Sequence, residues 1–343
     1  MIDDRDLDAA VAAGVLDAPT RLKLVQFARD YRRGEAGADE EQFRLLTGFN
    51  DIFVSIAIGL VLFAVGALGG LIAPALGAVA VAATSWGLAE YFTRVRRMAL
   101  PSIVLLLTFV AATMAALVAL LTGSPSFEFG HGVAPGFGVV GAAALTAVAA
   151  WLHWRRFMVP ITVAAGVGAL VVMVLVSLGI ATGSALPNTL LLATAVCGLA
   201  VFGLAMWADS RDRARVTRWS DVAFWLHLLA APLIVHPVFA LAGLMNATPA
   251  PGAAVVVVLV YVVLTVVAVA IDRRALLVSA LGYVIYAVQA LLAGGGALSA
   301  SFGTTALVIG VFLVALSAGW RPIRARVLAL LPDGMRGRLP AAA

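Results

Sequence analysis

The sequence has little charge, one lysine and a single cysteine. Of 343 residues only 12% are charged, against about 25% in soluble domains. The lone Cys197 excludes an internal disulfide, and it lies in an apolar run, where a thiol behaves as a small hydrophobic side chain. Hydrophobic residues make up 63% of the chain. The few polar residues cannot cover so much apolar surface, so lipid must be the solvent.

Motifs that hold substrates or cofactors are also missing. The sequence contains no phosphate-binding loop, nucleophile elbow, His-Glu-x-x-His or cysteine pair. Its 23 basic residues are not interleaved with aromatics, as nucleic-acid binding would require. We therefore predict no catalytic residue, no cofactor, no metal and no nucleic-acid partner.

Long apolar runs dominate what is present. A helix needs about twenty apolar residues to cross the bilayer core. Ten runs meet this requirement: 52–70, 73–92, 100–121, 135–152, 157–180, 187–207, 221–243, 253–271, 275–293 and 302–320. The predicted fold is all-α, a polytopic membrane bundle of about ten transmembrane helices over residues 51–320. A small helical cytoplasmic element precedes it in residues 1–50, and a basic cytoplasmic tail follows in residues 321–343.

Beyond residue 50, every arginine falls on one side of this predicted bundle. Arginines occupy the loops after spans two, four, six, eight and ten, and the five opposite loops contain no Lys or Arg. Cytoplasmic loops carry an excess of these residues. We therefore predict a multi-pass protein of the bacterial inner (plasma) membrane, in contact with membrane lipid, with both termini in the cytoplasm. A miscounted span would scatter arginines onto both faces.

The arginines also recur at a regular interval. Four of them follow one another every 59 residues: Arg97, Arg156, Arg215 and Arg274. Pro101 and Pro160 each follow one of these arginines by four residues, where a proline can open the next helix. Two interpretations stay open. One is a two-helix unit duplicated in parallel, and the other is the period that any bundle of such helices with short loops would have.

Residues 1–50 have the pattern of a small helical hairpin. Gly14 is placed to end a first helix, and Asp17 with Pro19 to begin a second. Asp39 with Gln42 resembles the capping box of a third. Such an element is too small for much of a core. We expect it to lean on the membrane domain, a partner or another copy of itself.

The segment 7–22 reads LDAAVAAGVLDAPTRL and precedes a charged stretch and many spans. In this it resembles the opening of a family of uncharacterised bacterial polytopic membrane proteins with a short helical cytoplasmic N-terminal segment. The resemblance covers residues 1–70 and implies the membrane fold, but the family has no established activity to carry over. Ten spans with both ends inside are also similar, in count alone, to the drug and metabolite transporter superfamily.

The C-terminal tail has an amphipathic pattern. Ile323, Val327 and Leu331 fall on one helical face among several arginines. This predicts a short basic helix that lies on the anionic inner leaflet. The alternative is an ordinary solvated tail.

Ionisable residues deep in a membrane are costly and therefore usually functional. His227 lies in span seven, where Pro232 and Pro237 weaken the helical hydrogen bonding. One interpretation is that His227 lines a polar cavity near His153. The other, which we prefer, is a neutral histidine hydrogen-bonded to a neighbouring helix.

Other polar residues complete the candidate cavity. Asp51 opens span one, as an N-cap or a gate acid, and span nine offers three polar side chains. The candidate cavity-lining residues are Asp51, His227, Tyr283, Tyr286 and Gln289. Near the span ends, Glu90 with Arg94 and Asp272 with Arg273 are predicted as interfacial ion pairs or caps. Glu128, His131 and His236 could in principle hold a divalent metal, but no motif supports such a site.

Two functions fit these observations. The first is a carrier or flippase for a small neutral or amphipathic molecule, with spans one, seven and nine lining its path. The second is a non-transporting membrane scaffold or accessory subunit that recruits a protein partner through residues 1–46. An intramembrane enzyme ranks last, because no nucleophile–base pair or metal set is present.

Overall fold

The computed structural model describes residues 4–36, 49–123, 133–183, 187–212, 215, 217–243, 253–274, 276–278, 281, 282, 285, 298–332, 334 and 339. Every regular element within those residues is helical, as predicted. The chain folds as two compact units, Met1–Arg44 and Leu45–Ala342.

The first unit contains two described helices, α1 (Asp4–Ala12) and α2 (Ala18–Ala36). Gly14 follows α1 in a left-handed conformation, with φ of 68°. The Asp17 carboxylate accepts hydrogen bonds from the side chain of Thr20 and from the Thr20 amide, the latter at 3.3 Å, and these bonds lower the pKa of Asp17. Arg21 Nε lies 2.8 Å from Asp8 Oδ1 and joins the two helices. The predicted hairpin is confirmed. The third helix expected from Asp39 lies outside the described residues.

Seven described helices of the second unit are long and apolar enough to cross a membrane. They are α3 (Phe49–Ile72), α4 (Pro74–Ala89) with a π-helical turn (Glu90–Val95), α5 (Ala99–Thr122), α6 (Val133–Phe157), α7 (Ile161–Thr182), α8 (Pro187–Arg211) and α9 (Arg218–Leu241). They coincide with predicted spans one to seven. The protein is therefore a multi-pass helical membrane protein.

Two further helices occupy predicted spans eight and ten, α10 (Ala253–Ile271) and α11 (Leu298–Ala318). Their described apolar stretches are shorter, Leu259–Ile271 and Ile309–Ala318. Most of predicted span nine, 275–293, lies outside the described residues. A count of ten spans thus stays a prediction.

The turns between helices share a backbone conformation that recurs at intervals close to the period of the sequence. Four non-glycine residues have positive φ, one in each described turn that follows an even-numbered helix from α4 to α10: Arg97, Met158, Arg215 and Asp272. Helices α5, α7 and α9 are each followed by a glycine in the left-handed conformation, and these glycines are 60 residues apart: Gly123, Gly183 and Gly243. Equivalent turns at equivalent positions favour the duplicated two-helix unit over a coincidental period.

Helix α9 lies deepest in the protein. Half of its apolar stretch is buried, against 11 to 33% in the other six candidate spans. It packs mainly on α8 and also on α7. Pro232 and Pro237 both lie inside this helix, and a proline cannot donate to the carbonyl of the preceding turn. Helix α9 thus combines the most protein contact with the weakest internal hydrogen bonding.

The tail forms helix α12 (Trp320–Leu330), directly after α11. Its predicted apolar face of Ile323, Val327 and Leu331 packs against the core cluster of the bundle. The side chains of Trp320 and Leu328 are buried in the same cluster. The amphipathic helix is therefore present, but the protein covers the face that was expected to lie on the leaflet.

Candidate functional site

A buried ionic cluster joins the ends of α8, α9 and α10. At its centre, Asp209 of α8 is 4% exposed and His227 of α9 is fully buried. His227 Nε2 lies 3.0 Å from Asp209 Oδ2. An ionised carboxylate only accepts hydrogen bonds, so Nε2 carries the hydrogen. His227 is therefore bonded to a neighbouring helix, as the preferred interpretation predicted.

Arg273, in the turn after α10, binds the same carboxylate. Its Nε is 3.3 Å from Asp209 Oδ2, and its Nη2 contacts Asp209 Oδ1. The Nη2 group also donates to the backbone oxygen and the hydroxyl of Ser220, each at 3.1 Å. One guanidinium thus links three helices, because it lies in the turn after α10 and reaches both α8 and the first turn of α9.

The two left-handed residues of neighbouring turns also bind each other. Arg215 Nη1 lies 3.0 Å from Asp272 Oδ2, and Arg215 Nη2 donates to the Asp272 carbonyl at 2.8 Å. The other carboxylate oxygen of Asp272 accepts from Trp320 Nε1 at 2.7 Å. Arg324 Nε is 3.9 Å from that oxygen. Asp272 therefore ties helix α12 to the turn before α9.

Local interactions fix the length of α8 and the start of α9. The guanidinium of Arg211 lies over the rings of Trp207 and Trp219, 4.1 and 5.6 Å from their centroids. Asp212 accepts hydrogen bonds from the amide and the hydroxyl of Thr217, at 2.8 and 2.7 Å. These contacts stabilise the last turn of α8, which ends at Arg211, so Asp209 lies within the helix.

Asp209 was not among the predicted site residues, for a reason the structure makes clear. Span six was predicted to end at residue 207, which placed Asp209 in a loop, whereas α8 continues to Arg211. The sequence carries one signal that could have found it. Asp209 stands at the end of an apolar run, two residues before Arg211. If the helix continues beyond residue 207, the Asp209 side chain can point into the protein.

The predicted pairing of Asp272 with Arg273 is wrong. Asp272 binds Arg215, and Arg273 binds Asp209. Asp272 has a φ of 58°, and this left-handed turn sends the two adjacent side chains to different partners. Glu90 does pair with Arg94, at 3.4 Å, and it binds Arg156 more closely, at 2.7 and 2.9 Å.

The other candidate residues are not gathered at this cluster. Asp51 is buried in the first turn of α3, a helix that packs on α4 and α5. His153 lies in a separate aromatic group with Trp86, Phe109 and Phe157. The predicted His227–His153 cavity is therefore not formed by the described residues. Tyr283, Tyr286 and Gln289 lie outside them.

The cluster has the chemistry of a protonation site. Within the described ranges, no group of three or more His, Cys, Asp or Glu residues is placed to hold a metal ion. Glu128 and His131 of the metal hypothesis lie outside those ranges, and His236 is exposed on α9. A guanidinium keeps its proton in proteins, so in such a group the imidazole is the side chain that can bind a proton, while the carboxylate can change its hydrogen-bond partner.

No protein-family model, curated protein or solved structure matches this chain. The resemblance to the bacterial membrane-protein family rests on the N-terminal residues quoted above, and function must be argued from the site.

Proposed function

We propose that this protein is a carrier or flippase of the bacterial inner membrane, with ten spans, both termini in the cytoplasm, and a small neutral or amphipathic substrate. The observation that carries the proposal is the buried Asp209–His227–Arg273 cluster. Its histidine belongs to the proline-containing helix α9. Ionisable groups at such depth are costly and are kept where they act.

A bent central helix suits a transport path. Proline inside a membrane-spanning helix leaves a carbonyl that neighbouring groups must satisfy, and such helices hinge at that point. Pro232 and Pro237 lie beyond His227 in α9, between the cluster and the opposite end of the helix. Movement of that half of α9 relative to the cluster would expose a path along its surface.

The pairing of the charges favours a neutral or amphipathic substrate. Arg273 is bound to Asp209 and Arg215 to Asp272, so both carboxylates of the cluster already have a basic partner. A charged substrate would have to displace one of these partners in a buried site. We further propose that Asp51 and the span-nine residues Tyr283, Tyr286 and Gln289 contribute polar groups to the path.

Native mass spectrometry of the protein, gently extracted from its own membranes, tests the carrier. We expect a stoichiometric small molecule or lipid that is lost on His227→Ala. His153→Ala is the matched control, because His153 is equally buried but has no carboxylate partner among the described residues. Retention of the molecule by both variants, or its loss from both, would count against this proposal.

The alternative is a scaffold that recruits a partner, and one observation favours it. In the first unit, Val15, Leu22 and Leu24 expose 80, 63 and 46% of their surface. Large apolar side chains that stay exposed on a small helical pair are available to a protein partner. A second protein that copurifies in stoichiometric amount and is lost on deletion of residues 1–46, with no bound small molecule, would establish the scaffold instead.

A further inference from the structure

One nitrogen of the buried His227 has no hydrogen-bond partner among the described residues. Nε2 donates to Asp209, whereas Nδ1 is buried and unpaired within that part of the chain. A buried polar atom without a partner is rare in native structures and calls for an explanation. With Nε2 protonated, Nδ1 carries a lone pair that is free to accept one proton.

We propose that His227 is a proton-binding site, and that binding of a proton there displaces Arg273 from Asp209. This inference rests on the proposed carrier and names its coupling ion. A proton from water on one side of the membrane adds to Nδ1, and it leaves to water on the other side. Only this N–H bond forms and breaks.

The charge of the cluster explains why the proton would move other groups. Among the residues that the structure describes, the charges that act on His227 are those of Asp209, Arg273 and Arg215. Arg273 and Asp209 cancel each other, so a proton on His227 adds an uncompensated positive charge to a buried site. Burial makes such a charge unfavourable unless a partner is rearranged. Imidazolium and guanidinium then compete for one carboxylate.

In the described part of the chain, the other elements around the site bring no compensating charge to His227. Helix α7, which packs on α9, and helix α11 contain no ionisable residue, and α10 contains only Tyr261. Asp212 is bound to Thr217, and Asp272 to Arg215, Trp320 and Arg324. Asp221, in the first turn of α9, lies in the field of Arg273, Asp212 and Arg218.

Arg273 is the group that can leave. It lies in a turn rather than in a helix, and its Nη2 already donates to Ser220 as well as to Asp209. Loss of the Asp209 contact would release the turn after α10 from α8. The elements beyond that turn, including α12, would then move relative to α8. Protonation at one atom is thereby converted into opening at one end of the bundle.

The first test is a titration of His227 in the full-length protein in lipid nanodiscs. Replacement of His131, His153 and His236 by Gln leaves His227 as the only histidine, and ¹⁵N-histidine labelling then reports its ring nitrogens alone. We expect both nitrogens to reach the imidazolium state when the sample is acidified across the range in which the folded protein is stable. A ring that stays in the neutral Nε2–H form over this range would overturn the proposal.

Two variants make the readout specific. Arg273→Gln removes a neighbouring positive charge, so His227 should bind its proton at higher pH. Asp209→Asn removes the negative charge and should have the opposite effect. A titration that neither substitution moves would mean that His227 takes up protons independently of the cluster, against the proposal.

The second test measures the opening. In a Cys197→Ser background, spin labels at Ser210→Cys on α8 and Arg326→Cys on α12 should move apart on acidification. The same pair should stay fixed when His227→Gln is added. A fixed distance in a protein whose His227 titrates would refute the displacement of Arg273.

These results are separable from the fate of the carrier. If His227 titrates and the labels separate but no bound solute is found, the proton site stands and the carrier falls. If a solute binds and is lost on His227→Ala while His227 stays neutral, the carrier stands and the proton site falls.

Discussion

Asp209 holds together parts of the chain that are far apart in sequence. It accepts hydrogen bonds from His227, 18 residues later, and from Arg273, 64 residues later. The site is buried, and His227 and Arg273 both bind the carboxylate oxygens of Asp209. A neighbouring residue therefore cannot take the place of this carboxylate. Its removal strands a guanidinium in an apolar environment.

We therefore expect Asp209→Ala to lower the free energy of unfolding by about 3–5 kcal/mol, the range for breaking a buried ion pair. Arg273→Ala should have a comparable effect, because it leaves the carboxylate uncompensated. The double variant should lose less than the sum of the two. Unfolding in detergent micelles, followed by circular dichroism, gives all three values, and strict additivity would show that the pair is not coupled.

At this scale the sequence predicted the identity of one participant and not its neighbours. His227 was found because a histidine inside an apolar run is conspicuous. Asp209 and Arg273 lie near the ends of apolar runs, where a charged residue usually faces water or a lipid headgroup. Their burial depends on the length of α8 and on the left-handed turn at Asp272. Neither property is encoded in a local pattern of apolar residues.

At the scale of elements, the first two spans of the bundle are packed through glycine. A Cβ added at Gly69 of α3 would lie 2.7 Å from Gly77 Cα of α4. Backbones can approach this closely only where side chains are absent. The next residue, Gly70, differs, since a Cβ there meets nothing within 4 Å.

This pair provides a matched test of helix packing. Gly69→Ala should destabilise the protein by about 1–3 kcal/mol, because the added methyl group forces α3 and α4 apart. Gly70→Ala should be neutral or slightly stabilising, since alanine favours the helix. Thermal unfolding of the two variants in the same detergent decides the matter, and equal effects would mean that α3 and α4 do not pack here.

Left-handed turns make a second prediction at this scale. Met158 has a φ of 56° and a half-exposed side chain, so its conformation is unfavourable for any residue with a Cβ. Met158→Gly should raise the unfolding free energy by about 1 kcal/mol.

The equivalent change at Arg215, with φ of 53°, is the control. Arg215→Gly relieves the same strain but removes the hydrogen bonds to Asp272, so it should destabilise the protein. If Arg215→Gly stabilised the protein as Met158→Gly is expected to do, the contacts of Arg215 would be of no consequence for stability.

Helix positions were the part of the fold most open to prediction. An apolar run of about twenty residues can be accommodated only as a spanning helix, so seven predicted spans agree with seven long apolar helices. The ends were less predictable, because capping and cation–π contacts such as those of Arg211 extend a helix beyond its apolar run. The packing partner of α12 was not predictable from its amphipathic pattern, which fits a lipid surface and a protein core equally well.

At the scale of the whole molecule, the distribution of arginine makes a prediction about topology. Arg97 lies in a turn and Arg156 in the last turn of α6, both at ends that should face the cytoplasm, and Gly183 follows α7 at an end that should face outward. In a Cys197→Ser background, single cysteines at these positions should react with a membrane-impermeant maleimide only from the predicted side. Labelling of residues 97 and 156 from opposite sides would contradict the parallel arrangement of the hairpins.

If each helix crosses the bilayer, a segment between successive left-handed turns enters and leaves the membrane on the same face. Adding or removing such a segment does not change the orientation of the rest of the chain. A whole copy can be gained or lost by unequal crossing-over within a gene, and every helix that follows keeps its direction across the bilayer. The length of such a chain is therefore free to change in evolution, but in steps of two helices.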